Sequence, residues 1–210
     1  MKTSLIIPTY NEEKTIKEVI EKSDRYADEI IVVDGASTDN TYNIIKNIND
    51  QKIKIIRHKK RSGVTQVRID GMKKAENDII IFVDADAQHN PGDIHELLKK
   101  IDQCDLVLGT RDELPRLGEK IMAHVCKVKD ATTGFRIFKK SNLKEILKKE
   151  EYWGADTILR VKKQGLKICE VPIEVNERKH GKTTLTGINV FLKSLRFMII
   201  VNLSTFDTLI

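Results

Sequence analysis

The chain has 210 residues, of which 40 % are hydrophobic and 32 % charged, and this ordinary globular composition favours one domain with a sizeable core. Lys and Arg outnumber Asp and Glu by 37 to 31, and the resulting net charge of +6 suits an anionic ligand or a membrane surface. Nucleic acid is disfavoured as a partner, because aromatic residues make up only 5 % of the chain and no nucleic-acid-binding motif is present.

Targeting signals and cysteine usage indicate a cytoplasmic protein. The N-terminus enters an apolar strand directly, without the pattern of a signal peptide, and no apolar run reaches the roughly 18–20 residues needed to span a bilayer. Cys104, Cys126 and Cys169 are too scattered for a metal cluster, and we expect them to be reduced. We therefore predict a cytoplasmic location, at the cytoplasmic membrane face if the protein contacts lipid.

Short apolar strands alternate with helices along the first half of the chain. Five strands rich in Ile and Val are predicted at residues 4–8, 29–34, 52–57, 78–84 and 105–109. Helices are predicted between them, beginning near Asn11, Asn40, Ser62 and Pro91. This alternation favours an α/β, Rossmann-like architecture with a mostly parallel central sheet and helices on both faces.

The alternation breaks after residue 109. Residues 111–134 are predicted to form an irregular segment over the ligand-binding edge of the sheet. Further elements are predicted as strands at 136–138 and 167–175 and as helices at 142–149 and 153–164. A basic loop is predicted at 178–187 and is followed by the most apolar segment. We therefore predict one domain at residues 1–187 and a C-terminal segment at 188–210 that either packs on the core or lies in a membrane interface.

Two carboxylates follow the fourth predicted strand. Asp84 ends the apolar run and Asp86 lies two residues later, so both are expected at the carboxyl edge of the sheet, where ligands bind in open α/β folds. Two carboxylates this close repel each other unless a cation lies between them. A divalent ion that also binds a diphosphate meets that need. The alternative is that both are solvated turn residues capping the helix that begins near Pro91.

Motifs in order over about residues 4–185 resemble those of the family-2 glycosyltransferases. They are Ile-Ile-Pro-Thr-Tyr-Asn-Glu (6–12), Ile-Ile-Val-Val-Asp-Gly-Ala-Ser-Thr-Asp-Asn-Thr (30–41), Asp-Ala-Asp-Ala-Gln-His-Asn-Pro (84–91), Gly-Thr-Arg (109–111), Thr-Thr-Gly-Phe-Arg (132–136) and Glu-Val-Pro-Ile-Glu-Val followed by an Arg and a Gly (170–181). Together they resemble the dolichyl-phosphate mannose synthase branch, which transfers a sugar from a nucleotide diphosphate sugar to a polyprenyl phosphate. The resemblance implies a GT-A fold, inverting chemistry and Mg²⁺ or Mn²⁺.

The resemblance also implies the residues of a nucleotide and metal site. The implied nucleotide contacts lie at the ends of three strands: Pro8, Tyr10, Glu12, Val33, Asp34, Asp84 and Ala85. Asp86 is the first choice of direct metal ligand and Gln88 supplies a carbonyl oxygen, while Asp84 contacts the ribose or binds the metal through water. Beside these residues, Asn11 is expected to cap the first helix, and Asp39 with Thr38 the second.

Basic residues are the candidates for binding phosphate. Arg111 follows the fifth strand and can neutralise a phosphate in a bidentate way, so it is the predicted catalytic partner of Asp86. Arg116 and Arg178 lie in irregular basic segments and are predicted to hold the acceptor phosphate. Related synthases carry a further basic residue six positions after the second arginine. This chain has Thr184 there, so Lys182 is the candidate replacement.

One motif departs from the family pattern. Where Asp-Asp-Gly-Ser is usual, this chain has Asp34-Gly35-Ala36-Ser37, so a carboxylate that often contacts the base or ribose is missing. The donor can therefore be GDP- or UDP-linked. The same change leaves open a protein that binds a nucleotide sugar without turnover.

The predicted reaction is the metal-dependent transfer of a sugar to a polyprenyl phosphate, with inversion at the anomeric carbon. Mannose is the sugar that the motifs favour. A phosphate monoester is largely ionised at pH 7 and needs cations to hold it, whereas a sugar hydroxyl would need a general base. Asp156 is the candidate base for that alternative acceptor, although it equally suits a stabiliser of a helix first turn. The Gln-x-x-Arg-Trp signature of polymer-forming relatives is absent, which favours the lipid phosphate.

Overall fold

The computed structural model describes residues 1–142, 151, 152, 154–177 and 187–202. Its seven strands form one sheet in the order β3-β2-β1-β4-β6-β5-β7. The strands are β1 (Thr3–Thr9), β2 (Glu29–Asp34), β3 (Ile53–Arg57), β4 (Ile79–Phe82), β5 (Leu106–Thr110), β6 (Arg136–Lys139) and β7 (Ile168–Pro172). β6 runs antiparallel to β4 and β5, and the other neighbouring strands are parallel.

Helices cover both faces of this sheet. They are α1 (Ile16–Ser23), α2 (Thr41–Lys46), α3 (Val64–Lys74), α4 (Ile94–Leu98), α5 (Leu117–Cys126), α6 (Ala155–Lys163) and α7 (Gly187–Asn202). Side chains alternate across each strand, so Leu5 and Ile7 enter a core with α1, α2 and α4. Ile6 enters the opposite core with α3, α5, α6 and α7. Because both faces are buried, the strands read as continuous Ile and Val runs, and the predicted architecture is confirmed.

Helix α5 lies within the segment that we expected to be irregular, so that expectation is wrong for residues 117–126. Arg116 caps the helix in a reciprocal arrangement with Glu119. A Cβ at Gly118 would lie 2.8 Å from the backbone of Val190 in α7. The absent side chain therefore lets the two helices pack closely. The helix predicted at 142–149 lies almost entirely outside the described residues.

The C-terminal segment presents one face to the core and another to solvent. Val190, Ser194 and Phe197 of α7 are buried, and the Phe197 ring packs 4.9 Å from that of Tyr152. Four apolar side chains of the same helix are exposed: Ile188, Phe191, Leu192 and Ile199. Within the described residues, no helix combines the length and apolarity required to cross a membrane. The domain boundary at residue 187 stays a prediction.

A disulfide joins Cys104 to Cys169, whose Cα atoms are 5.9 Å apart. β5 and β7 are paired, with Val107 opposite Cys169, and this pairing brings the two cysteines together. The expectation that these two residues are reduced is therefore wrong. Cys126 is a buried free thiol, and burial raises its pKa to about 12.

Candidate active site

The carboxyl ends of β2, β1 and β4 lie side by side and form the floor of the candidate site. Pro8 and Thr9 of β1 pair with Val33 and Asp34 of β2. On the other side, β1 pairs with β4, whose chain continues into Asp84. The structure thus brings the predicted nucleotide residues to one sheet edge, as the topology of a parallel sheet requires.

The loops after β1 and β2 are bonded to each other. Asn11, in a left-handed conformation at φ 56°, accepts a hydrogen bond from Thr38 N at 2.8 Å, and its own N–H donates to Ser37 Oγ at 3.0 Å. The expectation that Asn11 caps α1 is wrong, because its side chain reaches the neighbouring loop. Asp39 accepts a hydrogen bond from Thr41 N, the first residue of α2, at 3.0 Å, but the N-cap residue of this helix is Asn40. Thr38 bonds to Asn11 instead, so the predicted cap is correct only in that Asp39 satisfies a backbone donor of the first turn.

Glu12 is linked to the loop that carries the two aspartates. The Thr15 hydroxyl lies 3.3 Å from Glu12 Oε2 and donates to the Ala85 carbonyl at 2.8 Å. Thr15 is buried. Sequence reasoning missed this residue, which fixes the backbone between Asp84 and Asp86 relative to the end of β1.

The two carboxylate oxygens of Asp34 have different partners. The side chain is fully buried. Its Oδ1 accepts hydrogen bonds from the Ser37 N–H, at 3.0 Å, and from the Ser37 hydroxyl. Its Oδ2 is buried without a hydrogen-bond partner, and Arg57 Nε lies 3.4 Å away. The Arg57 charge therefore balances Oδ2, while Ser37 satisfies Oδ1 through hydrogen bonds.

Cations lie over two aromatic rings beside Asp34. The Arg57 guanidinium lies 4.0 Å from the centre of the Tyr42 ring, and Arg61 lies 4.7 Å from that of Tyr10. Both arrangements are cation–π contacts. The end of β3 and the loop after it therefore place positive charge next to the predicted nucleotide contacts, which suits an anionic ligand.

Asp84 is held by an arginine that sequence reasoning missed. Arg68 of α3, with 7 % of its side chain exposed, donates from Nη2 to Asp84 Oδ1 at 3.0 Å. A Cβ at Gly134 would overlap Asp84 Oδ2. Burial opposes ionisation of Asp84, but the charges of Arg68, His89 and Arg136 and the hydrogen bond from Arg68 lower its pKa below the ordinary value. Asp84 is therefore a carboxylate at neutral pH.

The loop after Asp84 is pinned to the chain beyond β7. Asp86 Oδ1 accepts a hydrogen bond from Gln88 N at 3.1 Å, and Ala87 between them has φ 58°. The Gln88 carbonyl accepts from Asn176 N at 2.8 Å, and its side-chain amide donates to Asn176 O at 3.2 Å. The turn at residues 91–93 is capped by Asn90, which accepts from Gly92 N. Neither aspartate is needed for that cap.

Arg111 and Arg116 lie in a charge-balanced cluster with two buried acids. Arg111 binds Asp130 through two hydrogen bonds of 2.7 and 3.1 Å, and it also donates to Thr132. Arg116 donates to Glu119 at 2.9 Å, and Arg111 Nη1 lies 3.6 Å from the same carboxylate. Burial opposes ionisation of Asp130, but Arg111 and Thr132 lower its pKa. Sequence reasoning found the arginines and missed both acids.

The motif at residues 132–136 connects this cluster to Asp84. Thr132 binds Arg111, and Gly134 lies against Asp84. Arg136 is fully buried and donates to three backbone carbonyl groups, those of Ala131, Thr133 and Gly154. The predicted phosphate residues Arg178 and Lys182 lie outside the described residues.

Asp156 lies in the first turn of α6 and is buried. Its Oδ2 accepts a hydrogen bond from Glu151 N at 2.8 Å and lies 3.5 Å from Arg160 Nη2. These contacts are those of a residue that stabilises the start of a helix. The role of general base stays a prediction.

The family model described as glycosyl transferase family 2 matches residues 4–167. The chain is 33 % identical to the UDP-N-acetylglucosamine–dolichyl-phosphate N-acetylglucosaminyltransferase of Methanococcus voltae, an alignment that covers 91 % of this chain and 94 % of that protein. It is 27 % identical to the dolichol-phosphate mannosyltransferase of Pyrococcus furiosus, over 91 % of this chain and 61 % of that protein. These relatives confirm the resemblance to the polyprenyl-phosphate branch.

Solved structures confirm the GT-A fold. Glucosyl-3-phosphoglycerate synthase from Mycobacterium tuberculosis, in complex with Mn²⁺, UDP-glucose and phosphoglyceric acid, gives a TM-score of 0.75 at 18 % identity, covering 98 % of this chain and 80 % of that one. TarS from S. aureus in complex with UDP-GlcNAc gives 0.70 at 22 % identity, covering 96 % and 66 %. With a family model over most of its length and a relative aligned almost end to end, the chain belongs to glycosyl transferase family 2.

Proposed function

We propose that this glycosyltransferase transfers a sugar from a nucleoside diphosphate sugar to a polyprenyl phosphate, with inversion at the anomeric carbon. The observation that carries the proposal is the segment 130–134. At one end, Asp130 and Thr132 bind Arg111, and at the other Gly134 lies against Asp84. This five-residue segment thus contacts both the Arg111 guanidinium, which is suited to bind phosphate, and the Asp84 carboxylate, which is suited to bind a metal or a ribose.

The oxygen donors fit a divalent metal. Asp84 and Asp86 supply carboxylate oxygens, the donors that Mg²⁺ and Mn²⁺ prefer, and Gln88 is the proposed source of a further oxygen. Among the described residues, no group of three or more His, Cys, Asp or Glu side chains is placed to hold a metal. The protein would therefore provide some of the metal's oxygen ligands, and the donor diphosphate would provide the others. A bound metal would stabilise the charge on the leaving diphosphate.

We assign the acceptor phosphate to the arginines of the charge-balanced cluster. A phosphate monoester is already ionised near neutral pH, so the protein must hold it rather than deprotonate it. Arg116 is half-buried and bound to Glu119, while Arg111 is committed to Asp130 by two hydrogen bonds. Arg116 is therefore the cation that an incoming phosphate can recruit more readily, together with Arg178 and Lys182. The hydrogen-bonded, buried position of Asp156 does not favour a hydroxyl acceptor.

We also propose that the exposed face of α7 lies on the membrane that holds the acceptor. Phe191 and Leu192 are exposed on this helix, and Leu117 is exposed on the adjoining α5. Lys193 and Arg196 are also exposed, and residues 187–202 contain no acid. Apolar side chains flanked by cations are typical of a helix that binds anionic lipid in the interface.

Two sugars are candidates for the group that is transferred. The motifs predict mannose, whereas the relative of higher identity is named for N-acetylglucosamine. Purified protein with Mn²⁺ should be incubated with labelled GDP-mannose or UDP-N-acetylglucosamine, using polyprenyl phosphate or the matching polyprenol as acceptor. We expect label in the lipid fraction with the phosphate alone. Transfer to the polyprenol would favour the hydroxyl mechanism, and binding of donor without transfer to either would contradict an enzyme of this class.

A further inference from the structure

We infer that Thr15 is a positioning residue for the metal site, because its hydroxyl orients the peptide unit that leads into Asp86. The inference rests on the proposed function, in which Asp84 and Asp86 bind a divalent ion against the donor diphosphate. It deepens that function by naming a residue on which metal binding depends although it lies outside the predicted nucleotide and metal contacts.

The position of Thr15 in the chain would by itself indicate a helix cap. Thr15 is the N-cap residue of α1, where a threonine side chain usually accepts a hydrogen bond from a backbone N–H of the first turn. Its side chain makes no such capping bond. The hydroxyl instead donates to the Ala85 carbonyl, 70 residues later in the chain, at 2.8 Å. Thr15 and Ala85 are both buried, so the side chain holds the loop after β4 in a place that water does not reach.

The single proton of the hydroxyl is directed to Ala85. A threonine hydroxyl can donate one hydrogen bond, and three acceptors lie near that of Thr15. The Ala85 carbonyl is 2.8 Å away, whereas Glu12 Oε2 and the Glu12 carbonyl are 3.3 and 3.4 Å away. The distances therefore assign the proton to the Ala85 carbonyl. Without the hydroxyl, this buried carbonyl would lose its donor from α1, and a buried acceptor without a donor is costly.

Ala85 lies beyond the part of β4 that the sheet holds in place. The pairing of β1 with β4 ends at Ile6 and Phe82, and Val83 N makes one more bond, to the Ile6 carbonyl at 3.2 Å. Farther along, Ala87 has φ 58°, a left-handed conformation that alanine rarely adopts. The conformation of residues 84–87 therefore depends on contacts with other elements, and the bond from Thr15 is one of them.

Peptide planarity transmits this bond to Asp86. The Ala85 carbonyl and the Asp86 N–H belong to one planar unit, so fixing the carbonyl fixes the direction in which the chain enters Asp86. Arg68 holds the Asp84 side chain on one side of this unit, and Gln88 N donates to Asp86 Oδ1 on the other. Removing a group that orients metal ligands typically weakens metal binding by roughly 10- to 100-fold. We expect the same of the Thr15 hydroxyl.

Thr15→Val tests the inference, since valine keeps the branched shape and removes the hydroxyl. Isothermal titration calorimetry on the full chain gives the Kd of UDP and of GDP, each with Mn²⁺ and with EDTA. The ratio of the two values for a nucleotide is its metal enhancement. For the nucleotide that binds, the enhancement should fall by about tenfold or more in Thr15→Val, with the Kd in EDTA unchanged. Thr15→Ser keeps the hydroxyl and should retain the enhancement.

Thr3→Val is the matched control. Thr3 lies at the other end of β1, and its buried hydroxyl donates to the Tyr26 carbonyl at 3.2 Å, so this variant should keep the full enhancement. An unchanged enhancement in a folded Thr15→Val protein, or an equal fall in Thr3→Val, would overturn the inference. If Thr15→Val does not fold, Thr15→Ala must show the fall instead. Binding of neither nucleotide, or binding without metal enhancement, in the unmodified protein would overturn the metal site of the proposed function and the inference with it.

Discussion

Replacement of Arg68 by methionine should destabilise the protein in a pH-dependent way. Arg68 is almost fully buried in α3 and donates to Asp84 Oδ1 at 3.0 Å. Methionine fills part of the same volume but removes the charge. The carboxylate would then remain against Gly134 without the cation that contributes most to lowering its pKa.

The size of the effect follows from the exposure of the two side chains. Removing one partner of a buried ion pair costs about 3–5 kcal/mol. Asp84 keeps 31 % of its side chain exposed, and solvent screens part of the loss, so we expect about 2 kcal/mol at pH 7. Because Asp84 has a lowered pKa in the folded protein, its contribution is present above the unfolded pKa and is lost as pH falls through the folded value. The difference between variant and parent should therefore shrink in acid.

Urea unfolding at pH 7 and at about pH 3, below the unfolded Asp pKa of about 3.9, measures both effects. Arg25→Met is the matched control, since Arg25 is exposed and should change the free energy of unfolding by less than about 0.5 kcal/mol. Equal stability of Arg68→Met and the parent at pH 7 would refute the reasoning. A loss of the same size at both pH values would assign the effect to packing instead of charge.

Four further predictions concern the metal, the acceptor, the disulfide and the membrane. Asp86→Ala should abolish the metal-dependent rise in melting temperature produced by a nucleoside diphosphate but leave the fold intact; an unchanged rise would remove Asp86 from the metal site. Arg116→Ala should raise the KM for polyprenyl phosphate with donor Kd unchanged, and an equal loss of donor affinity would assign the arginine to the donor. Replacing both Cys104 and Cys169 by alanine should lower stability by about 4 kcal/mol, the chain-entropy value for a 65-residue loop; urea unfolding that matches the parent without reductant would contradict this. Leu192→Glu should reduce co-sedimentation with anionic liposomes at unchanged melting temperature, whereas undiminished binding would exclude this face of α7.

The strands were predictable because this sheet is buried on both faces. Residues 30–33 and 79–83 are continuous runs of Ile, Val and Phe. A continuous apolar run of only about four to eight residues is typical of a strand that is buried on both faces. Helix α5 was not predictable in the same way. Pro115 and Gly118 are typical of irregular segments, yet Pro115 precedes the helix and Gly118 packs on Val190. That contact comes from a helix about 70 residues later in the chain, so local spacing contains no sign of it.

The site was predictable where strand ends carry the functional residue. Asp34 and Asp84 each follow an apolar run, and the parallel topology then brings them to one edge. Their partners could not be predicted. Arg68 and Asp130 lie 16 and 19 residues from the groups they bind, on other elements. Ion pairs of this kind depend on how helices and loops pack over the sheet, which residue spacing does not encode.

The disulfide shows the same limit. Cys104 precedes β5 and Cys169 lies in β7, and each looks like an isolated apolar residue in the sequence. Only the pairing of these two strands, which are 65 residues apart at the cysteines, places the sulfur atoms together. A count of three cysteines gave no indication of which two would meet.

The central claim is inverting transfer of a sugar onto a lipid phosphate. The most direct test is ¹H NMR of the lipid product formed from a donor of known anomeric configuration, with the purified protein and Mn²⁺. The account predicts a sugar joined to the polyprenyl phosphate with the opposite anomeric configuration to that of the donor. A product with retained configuration, or release of free sugar with no lipid-linked product, would contradict it.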